Sequence, residues 1–385
     1  MKSEMMINQT EQHLPTTFRG LQFSSSTAPA SVVELPTPQP ATGSVILQPL
    51  YSNLVSYAKN VFCNGNPRNY NYPLPIVPGT NAIARVAAVA TDTPHLKCGM
   101  LVYTSGVIRP RDNIWATPNL QGIQMGFTPE HEALMKGEWR NGCWAELVKV
   151  PAENVHILNE RRLTEELGYD LQDLGYLSTL AVAYGGLDDV NLCPGETVVV
   201  APATGNFGSA AVQVALAMGA GKVIAMGRNL EKLEQLLESD RRVTTVAISG
   251  DINQELTDLQ DRGPVDVYFD ISTNLEHKPS YVQAAITSLR PGGRISIMGG
   301  FAGNLELPYI MIMYKGITIK GTFMYTREQA ERLIKLVESG LLPIGKRGGI
   351  QVTGSFRLEQ WQEAFEHAFN CIGPKKVAYF KPNEG

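Results

Sequence analysis

Nowhere in the 385 residues does an apolar run approach the roughly 20 residues needed to cross a bilayer. An excess of one charge sign is missing too. The 33 Lys and Arg stand against 37 Asp and Glu, a net charge of −4, so no broad basic field recommends nucleic acid or an anionic membrane as a partner. The five cysteines (Cys63, Cys98, Cys143, Cys193 and Cys371) never share a C-x-x-C unit. That excludes a zinc ribbon and a disulfide framework and leaves reduced, mostly buried thiols as the expectation. The opening MKSEMMINQTEQHLPTTFRG lacks the apolar core of a secretory signal, and the closing KPNEG matches no C-terminal address, so a cytoplasmic location is expected. Internal repeats are absent, and the one biased tract is the Ser-Thr-Ala-Pro stretch near residues 24–42.

What is present suits an ordinary globular enzyme, with 43% hydrophobic and 18% charged residues and enough length for two domains. SVVEL, SVILQPL, AIARVAAVA and MLVYTSGV read as short strands separated by Pro, Gly and Asn clusters, the pattern of an irregular barrel-like β domain. The segment Ile108 to Gly142 is long for a connection, and Trp115, Phe127 and Trp139 favour a packed loop at a substrate mouth. After about residue 162 the pattern changes. TEELGYDLQDLGYLSTLAVAYGGL reads as two helices, and strands then alternate with helices from ETVVVA to GGRISIMGG. Such alternation predicts an α/β fold with a doubly wound parallel sheet. The chain closes with the helix REQAERLIKLVESG and the strand KKVAYF.

Within that series, ETVVVAPATGNFGSAAVQVALAMGAGKVIAMGR runs strand, turn, helix, strand in about 30 residues. The turn Pro202-Ala203-Thr204-Gly205-Asn206-Phe207-Gly208 departs from the dinucleotide fingerprint at its first position, where Pro202 replaces glycine. Gly205 still permits backbone approach to a pyrophosphate, Gly208 permits close helix–strand packing, and the helix N-terminus offers free N–H groups. A site selecting NAD places Asp or Glu at the end of the second strand to hold the ribose 2′-hydroxyl. Here Gly227 and Arg228 stand there, with Lys232 one helical turn on. Gly227 removes bulk and negative charge, and the Arg228 fork suits a 2′-phosphate, so NADP(H) is the expected cofactor. Arg228 as a solvated surface residue is the competing reading.

The order of segments resembles the medium-chain dehydrogenase/reductase superfamily over nearly the whole chain. The cues are LYSNLVSYAKNVFCNG…YPLPIVPGTNAIARV, GEWRNGCWAELVKVPAENVHIL, VVVAPATGNFGSAAVQVA, LRPGGRISIMGG, ITIKGTF and GPKKVAYF. Within it, the chain looks most like zinc-free fungal alcohol-dehydrogenase-like and quinone oxidoreductase-like reductases, often found beside biosynthetic genes. The resemblance implies a GroES-like catalytic domain over residues 1–175, completed by 325–385, and a Rossmann domain over 176–324, with the active site between them. Zinc-containing members would carry a ligand Cys within Leu54-Val55-Ser56-Tyr57 and Gly-His-Glu at Gly79-Thr80-Asn81. Both are lost, as is the four-cysteine structural lobe, and hydroxyl or amide groups are poor substitutes for thiolate and imidazole. His131-Glu132 reads as a solvated turn. No metal is expected.

Zinc-free relatives often show Ser-Leu-Asn-Tyr-Arg-Asp where this chain has Leu54-Val55-Ser56-Tyr57-Ala58-Lys59, so Tyr57 matches, Ser56 replaces Asn and Lys59 replaces the acid. The resemblance implies Tyr57 as donor to a substrate oxygen, with Lys59 lowering its pKa. An aromatic wall for Tyr57 and a surface or ribose-orienting place for Lys59 stand beside that. Thr80 and Asn81 are expected to line the pocket. The family pattern further implies cofactor contacts from Thr179 and Ala183, Ser272 (adenosine ribose), Gly299, Gly300 and Phe301 (nicotinamide), Phe323 and Met324, and Arg327 (phosphate). Met311 and Met313 are read as packing or oligomer contacts. The expected activity is NADPH-dependent reduction of an α,β-unsaturated carbonyl, a quinone, a ketone or an aldehyde, with a small molecule as partner and a monomer or homodimer as assembly. A non-redox isomerase or cyclase on the same scaffold and a non-catalytic nucleotide carrier are the alternatives.

Overall fold

The run Thr197–Ala201 is almost wholly β-branched, and its last four residues are fully buried, as a central parallel strand requires. The computed structural model describes residues 14–26, 28–113, 115–272, 279–300 and 304–384. In it, this strand lies in a six-stranded sheet whose order is Val243–Ala247, Lys222–Gly227, Thr197–Ala201, Val265–Asp270, Leu289–Ile297 and Thr318–Gly321. Every neighbouring pair is parallel. Chain order reverses between Thr197–Ala201 and Val265–Asp270, so the crevice outside their carboxyl ends is the topological switch point, where such sheets bind ligands. Helices Asn206–Ala217, Leu230–Leu237, Ile252–Asp261 and Ser280–Ser288 make the first four crossovers, and Tyr309–Lys315 lies in the fifth. Leu230–Leu237 illustrates the local logic. Leu233 and Leu236 face the core, and the Asn229 side chain caps the helix by accepting from Lys232 N at 2.9 Å.

The remaining strands form a β-rich unit. Its seven-stranded sheet runs Gln351–Phe356, Lys376–Phe380, Ser44–Asn53, Ala82–Val89, Leu101–Thr104 and Val155–Ile157, with Val148–Pro151 also on Ser44–Asn53. Tyr379 pairs with Asn53 and Phe380 with Ser52, so the tail of the chain returns to complete the sheet its first hundred residues began. The fold is α/β, a doubly wound sheet beside a β-rich catalytic unit. SVVEL departs from the barrel pattern: Ser31–Pro36 pairs only with Thr17–Gln22 in a separate hairpin.

One aromatic cluster sets the position of the site. Trp144 packs on Phe380 at 4.9 Å and on Phe365 at 5.5 Å between centroids, and Phe62 on Phe23 at 4.9 Å and on Trp144 at 5.8 Å. Rings at these separations add attraction beyond their buried area. The cluster clamps the short helix Ala58–Phe62 against the tail helix Trp361–Asn370, and Tyr57 sits at the N-cap of the former. Among the described residues, no helix is long and apolar enough to cross a membrane.

Candidate functional site

A cleft of about 870 Å³ opens outside the switch point and is lined from both sheets. Its Rossmann wall is Pro202, Thr204 to Gly208, Arg228, Lys232, Ile271, Ser272 and Met298 to Gly300. The facing wall carries Ser56, Tyr57, Arg68, Tyr70, Thr80 and Asn81. Among the described residues no Asp, Glu, His or Cys lines it, and its charged groups are Arg68, Arg228 and Lys232. That imbalance is a strong statement about ligand charge, because cations in a low-dielectric cleft attract anions that bulk solvent would otherwise screen.

The glycine turn is built as the residues require. Gly205 caps the helix Asn206–Ala217 in extended backbone, and a Cβ built there meets nothing within 4 Å, so its face is open to the cleft. A Cβ on Gly208 would lie 2.1 Å from the Pro202 carbonyl oxygen, so only glycine lets the helix sit this close to the strand end. Ala203 does not line the cleft. It is fully buried and donates its N–H to Met226 O at 2.7 Å, tying the turn to the second strand. Gly227 is also behind the wall. A Cβ there would lie 2.5 Å from Thr204 Cγ2, so the absence of a side chain serves packing against the turn as well as removing an acid. Arg228 and Lys232 do line the cleft, and Lys232 Nζ also donates to Ile372 O at 2.8 Å.

Other expectations need correction. Thr179 is 4% exposed, and the helix Leu177–Asp189 presents Ser178 and Val182 instead. Those two are four apart on one helical face, one residue out of step with Thr179 and Ala183. Arg327 begins the helix Arg327–Ser339 beside a small second depression with Arg109 and His156, outside the cleft. The Ser272 hydroxyl lines the cleft but is held between the Asp270 carboxylate and the Tyr281 hydroxyl, the latter at 2.8 Å. Burial raises the pKa of that carboxylate. Gly299 and Gly300 both line the cleft, as do Phe323 and Met324. Gly299 answers to a protein constraint, since a Cβ there would meet Asp270 Oδ2 at 2.5 Å. Phe301 lies outside the described residues.

On the facing wall, Lys59 is absent from the lining and pairs with Glu366, Nζ to Oε1 at 2.5 Å. The cation beside Tyr57 is Arg68, whose Cζ stands 4.1 Å from the Tyr57 ring centroid. Tyr57 is not acidified. Enclosure in the wall, with the neighbouring Tyr70, carries its pKa far above the ordinary tyrosine value, and Arg68 opposes this only in part. Asn81 lines the cleft but is chiefly structural: its Oδ1 accepts from Gly106 N at 2.9 Å and its Nδ2 donates to Thr80 Oγ1 at 3.2 Å. The long segment after Ile108 contributes Leu120, Gly122 and Ile123 to the cleft. Of its aromatics only Trp139 packs, while Trp115 is 88% and Phe127 76% exposed. His131 is buried on the helix Pro129–Lys136, not in a solvated turn. Burial pushes the Cys143 thiol up to about 12, which leaves it unreactive.

Sequence reasoning missed Arg68, Tyr70, Ser178 and Val182. The run CNGNPRNYNY is legible as a loop, but nothing in its spacing tells which residue bends into a cleft.

Residues 207–339 match the zinc-binding dehydrogenase family. L-threonine 3-dehydrogenase of Photorhabdus laumondii is 23% identical over 326 residues, 81% of this chain and 87% of that protein. Among solved structures, 2R,3R-butanediol dehydrogenase from Bacillus subtilis superposes with a TM-score of 0.74 at 17% identity, covering 95% of this chain and 100% of that one. A chain described as a zinc-binding dehydrogenase from Sinorhizobium meliloti 1021, bound to NADP, does so with a TM-score of 0.73 at 17% identity, covering 96% and 100%. At these identities the superpositions show the fold.

Proposed function

We propose that this chain, which belongs to the medium-chain dehydrogenase/reductase superfamily and is an oxidoreductase of that type, is a zinc-independent, NADPH-dependent reductase of an α,β-unsaturated carbonyl, a quinone, a ketone or an aldehyde. The observation that carries this reading is the cleft's inventory: cations at the end of the second strand, and no carboxylate, imidazole or thiol among the described lining residues. The donor set fits a phosphorylated dinucleotide. Gly205 leaves its face of the helix N-terminus open, and Arg228 and Lys232 lie at the same end of the cleft. It does not fit zinc. The positions where thiolate and imidazole would be needed offer Ser56, Thr80 and Asn81, and the latter two are engaged with each other and with Gly106. No step is therefore assigned to a metal.

Bound NADPH would supply a hydride to an electrophilic carbon, either a carbonyl carbon or the β-carbon of an enone. Negative charge then grows on the substrate oxygen, and the facing wall must stabilise it. On this reading Tyr57, which lines the cleft, does so. Its raised pKa keeps the hydroxyl protonated across the working range, so it donates as a neutral acid and its proton goes to the oxygen as the new C–H bond forms. Tyr57→Phe is expected to lower kcat by roughly 100-fold with a small change in KM, measured by steady-state NADPH consumption. Because burial raises the pKa, kcat/KM should show no alkaline limb near the ordinary tyrosine value of about 10. A limb there that vanishes in Tyr57→Phe would contradict the assignment.

Lys59 takes no part in this scheme. Its partly exposed pair with Glu366 is worth about 0–1 kcal/mol. Lys59→Ala should therefore move the melting midpoint by only a few degrees and leave kcat within about threefold; a loss like that of Tyr57→Phe would restore Lys59 to the chemistry.

Stopped-flow NADPH oxidation against a panel of enones, quinones and aldehydes, before and after chelator treatment, tests the reading as a whole. Consumption unaffected by the chelator is expected. Product formation without consumption would favour an isomerase or cyclase, and binding without turnover a carrier.

A further inference from the structure

The cleft holds one cation that the cofactor reading leaves unused. Arg68 sits on the loop after the short helix Ala58–Phe62, and that loop is held in shape. Gly65, Asn66 and Asn69 take positive φ angles of 73°, 52° and 51°, values that glycine and asparagine tolerate best. The Asn66 side chain bridges the loop, donating to Tyr70 O at 2.8 Å and accepting from Tyr70 N at 3.1 Å. Asn66 N donates to Asn60 O at 3.0 Å, which anchors the turn to the helix. Arg68 is thereby presented across the cleft. One face of its guanidinium lies over the Tyr57 ring, and Nη1 comes within 3.8 Å of where a Cβ on Gly300 would be.

Its place along the cleft separates it from the phosphate-binding end. Arg228 follows the second strand and Gly300 follows the fifth, three strand intervals away in the observed order. At 4.7–4.9 Å per interval the two strands stand about 14 Å apart. A dinucleotide laid across the switch point brings its adenosine end to Arg228 and its reactive end towards Gly300. Among the described residues no salt bridge reaches Arg68, and no carboxylate lines the cleft to neutralise it. With its face covered by Tyr57, the open side of the guanidinium is its N–H edge, the geometry that receives a carboxylate in two parallel hydrogen bonds.

We infer that Arg68, stacked on the Tyr57 ring, forms a carboxylate-recognition site at the reactive end of the cleft, so that the preferred substrate is a carbonyl or enone compound that also carries a carboxylate. This deepens the reductase reading and rests on it for the identity of the reacting group. The division of labour is chemical: the phenol meets the oxygen on which charge grows, and the guanidinium holds the carboxylate that fixes the substrate's orientation.

The test uses the full chain with saturating NADPH and two matched pairs, 4-formylbenzoate against its methyl ester and (E)-4-oxopent-2-enoate against its methyl ester. In at least one pair the acid should exceed the ester in kcat/KM by roughly 10- to 100-fold, mostly through KM, as charge-assisted bonds of this kind allow. Arg68→Met should bring that ratio to about one, and Arg68→Lys, which keeps charge but loses the fork, should recover only part of it. Because the readout is a ratio within one protein preparation, a partial folding defect does not move it. An ester preferred over its acid in both pairs, or a ratio untouched by Arg68→Met, overturns the inference. So does an Arg68→Met variant whose main defect is tenfold weaker NADPH binding, since the guanidinium would then serve the cofactor's phosphates. If no pair turns over, calorimetry of the protein with NADP+ and the same ligands separates the two ideas. Acid-selective binding lost in Arg68→Met keeps the carboxylate site while the reductase reading falls, and no selectivity there removes the site as well.

Discussion

Arg228→Ala is expected to weaken NADPH binding by roughly 10- to 100-fold while leaving NADH within about threefold, so that the preference for the phosphorylated cofactor disappears. The size follows from the type of bond removed. A guanidinium–phosphate contact is charge-assisted, worth about 1.5–3 kcal/mol, and each 1.4 kcal/mol is a factor of ten. Arg228 is exposed at the mouth of the cleft, so salt screens it, and the loss should be larger at low ionic strength. Lys232 shares the same end but is anchored to Ile372 O, which is why it is expected to supplement the effect without replacing Arg228. Fluorescence titration of NADPH and NADH at two salt concentrations is the measurement. Equal affinities in the wild-type protein, or an unchanged ratio in the variant, would mean that Arg228 is simply a surface cation.

Two glycines three residues apart in the same turn should fail in opposite ways. For Gly208→Ala the new methyl meets Pro202 O at 2.1 Å and Ala203 Cα at 2.7 Å. Both are backbone atoms of the strand end and cannot rotate aside, so the helix Asn206–Ala217 must lift off the sheet. Over-packing of this kind costs about 3 kcal/mol or more, and the ligand-free protein should show it as an earlier urea midpoint. For Gly205→Ala the methyl meets nothing within 4 Å, and the residue's backbone already lies in a region any side chain accepts. Stability should change by about 1 kcal/mol or less, the difference between glycine and alanine as an N-cap. The methyl instead occupies space in front of the helix N-terminus, so NADPH affinity should fall about tenfold, a loss on the order of one charge-assisted bond. The pair is informative because the expected readouts cross. If Gly205→Ala unfolds the protein, or Gly208→Ala only weakens cofactor binding, the turn has been misread.

Much of this was legible from residue order, and particular positions show why. The run TVVVA, followed by a glycine-bearing turn and a helix, is a local pattern whose geometry is set over about 30 residues, and it folds as expected. The end of KVIAMG is likewise local, and Arg228 stands in the cleft where the strand delivers it. Positions read through the resemblance fared unevenly. Tyr57 reached the cleft and Lys59 did not, because two positions along a helix are about 200° of rotation, which turns the lysine towards Glu366 on the tail helix, a partner more than 300 residues away in sequence. Thr179 missed by a single position. Helix phase moves by 100° per residue, and which face meets the cleft depends on packing that no spacing rule supplies.

The sequence alone determined those features that rest on short-range geometry: the strand–turn–helix unit and the glycine and arginine at the second strand's end. The tertiary structure decided which side chains share the cleft. Arg68 meets Tyr57 because asparagines and glycine hold its loop at positive φ and an aromatic cluster drawn from both ends of the chain fixes the helix beside it. Local propensity acts over a few residues, whereas a binding site is assembled by long-range burial, and only the folded chain records which distant surfaces that burial brings together.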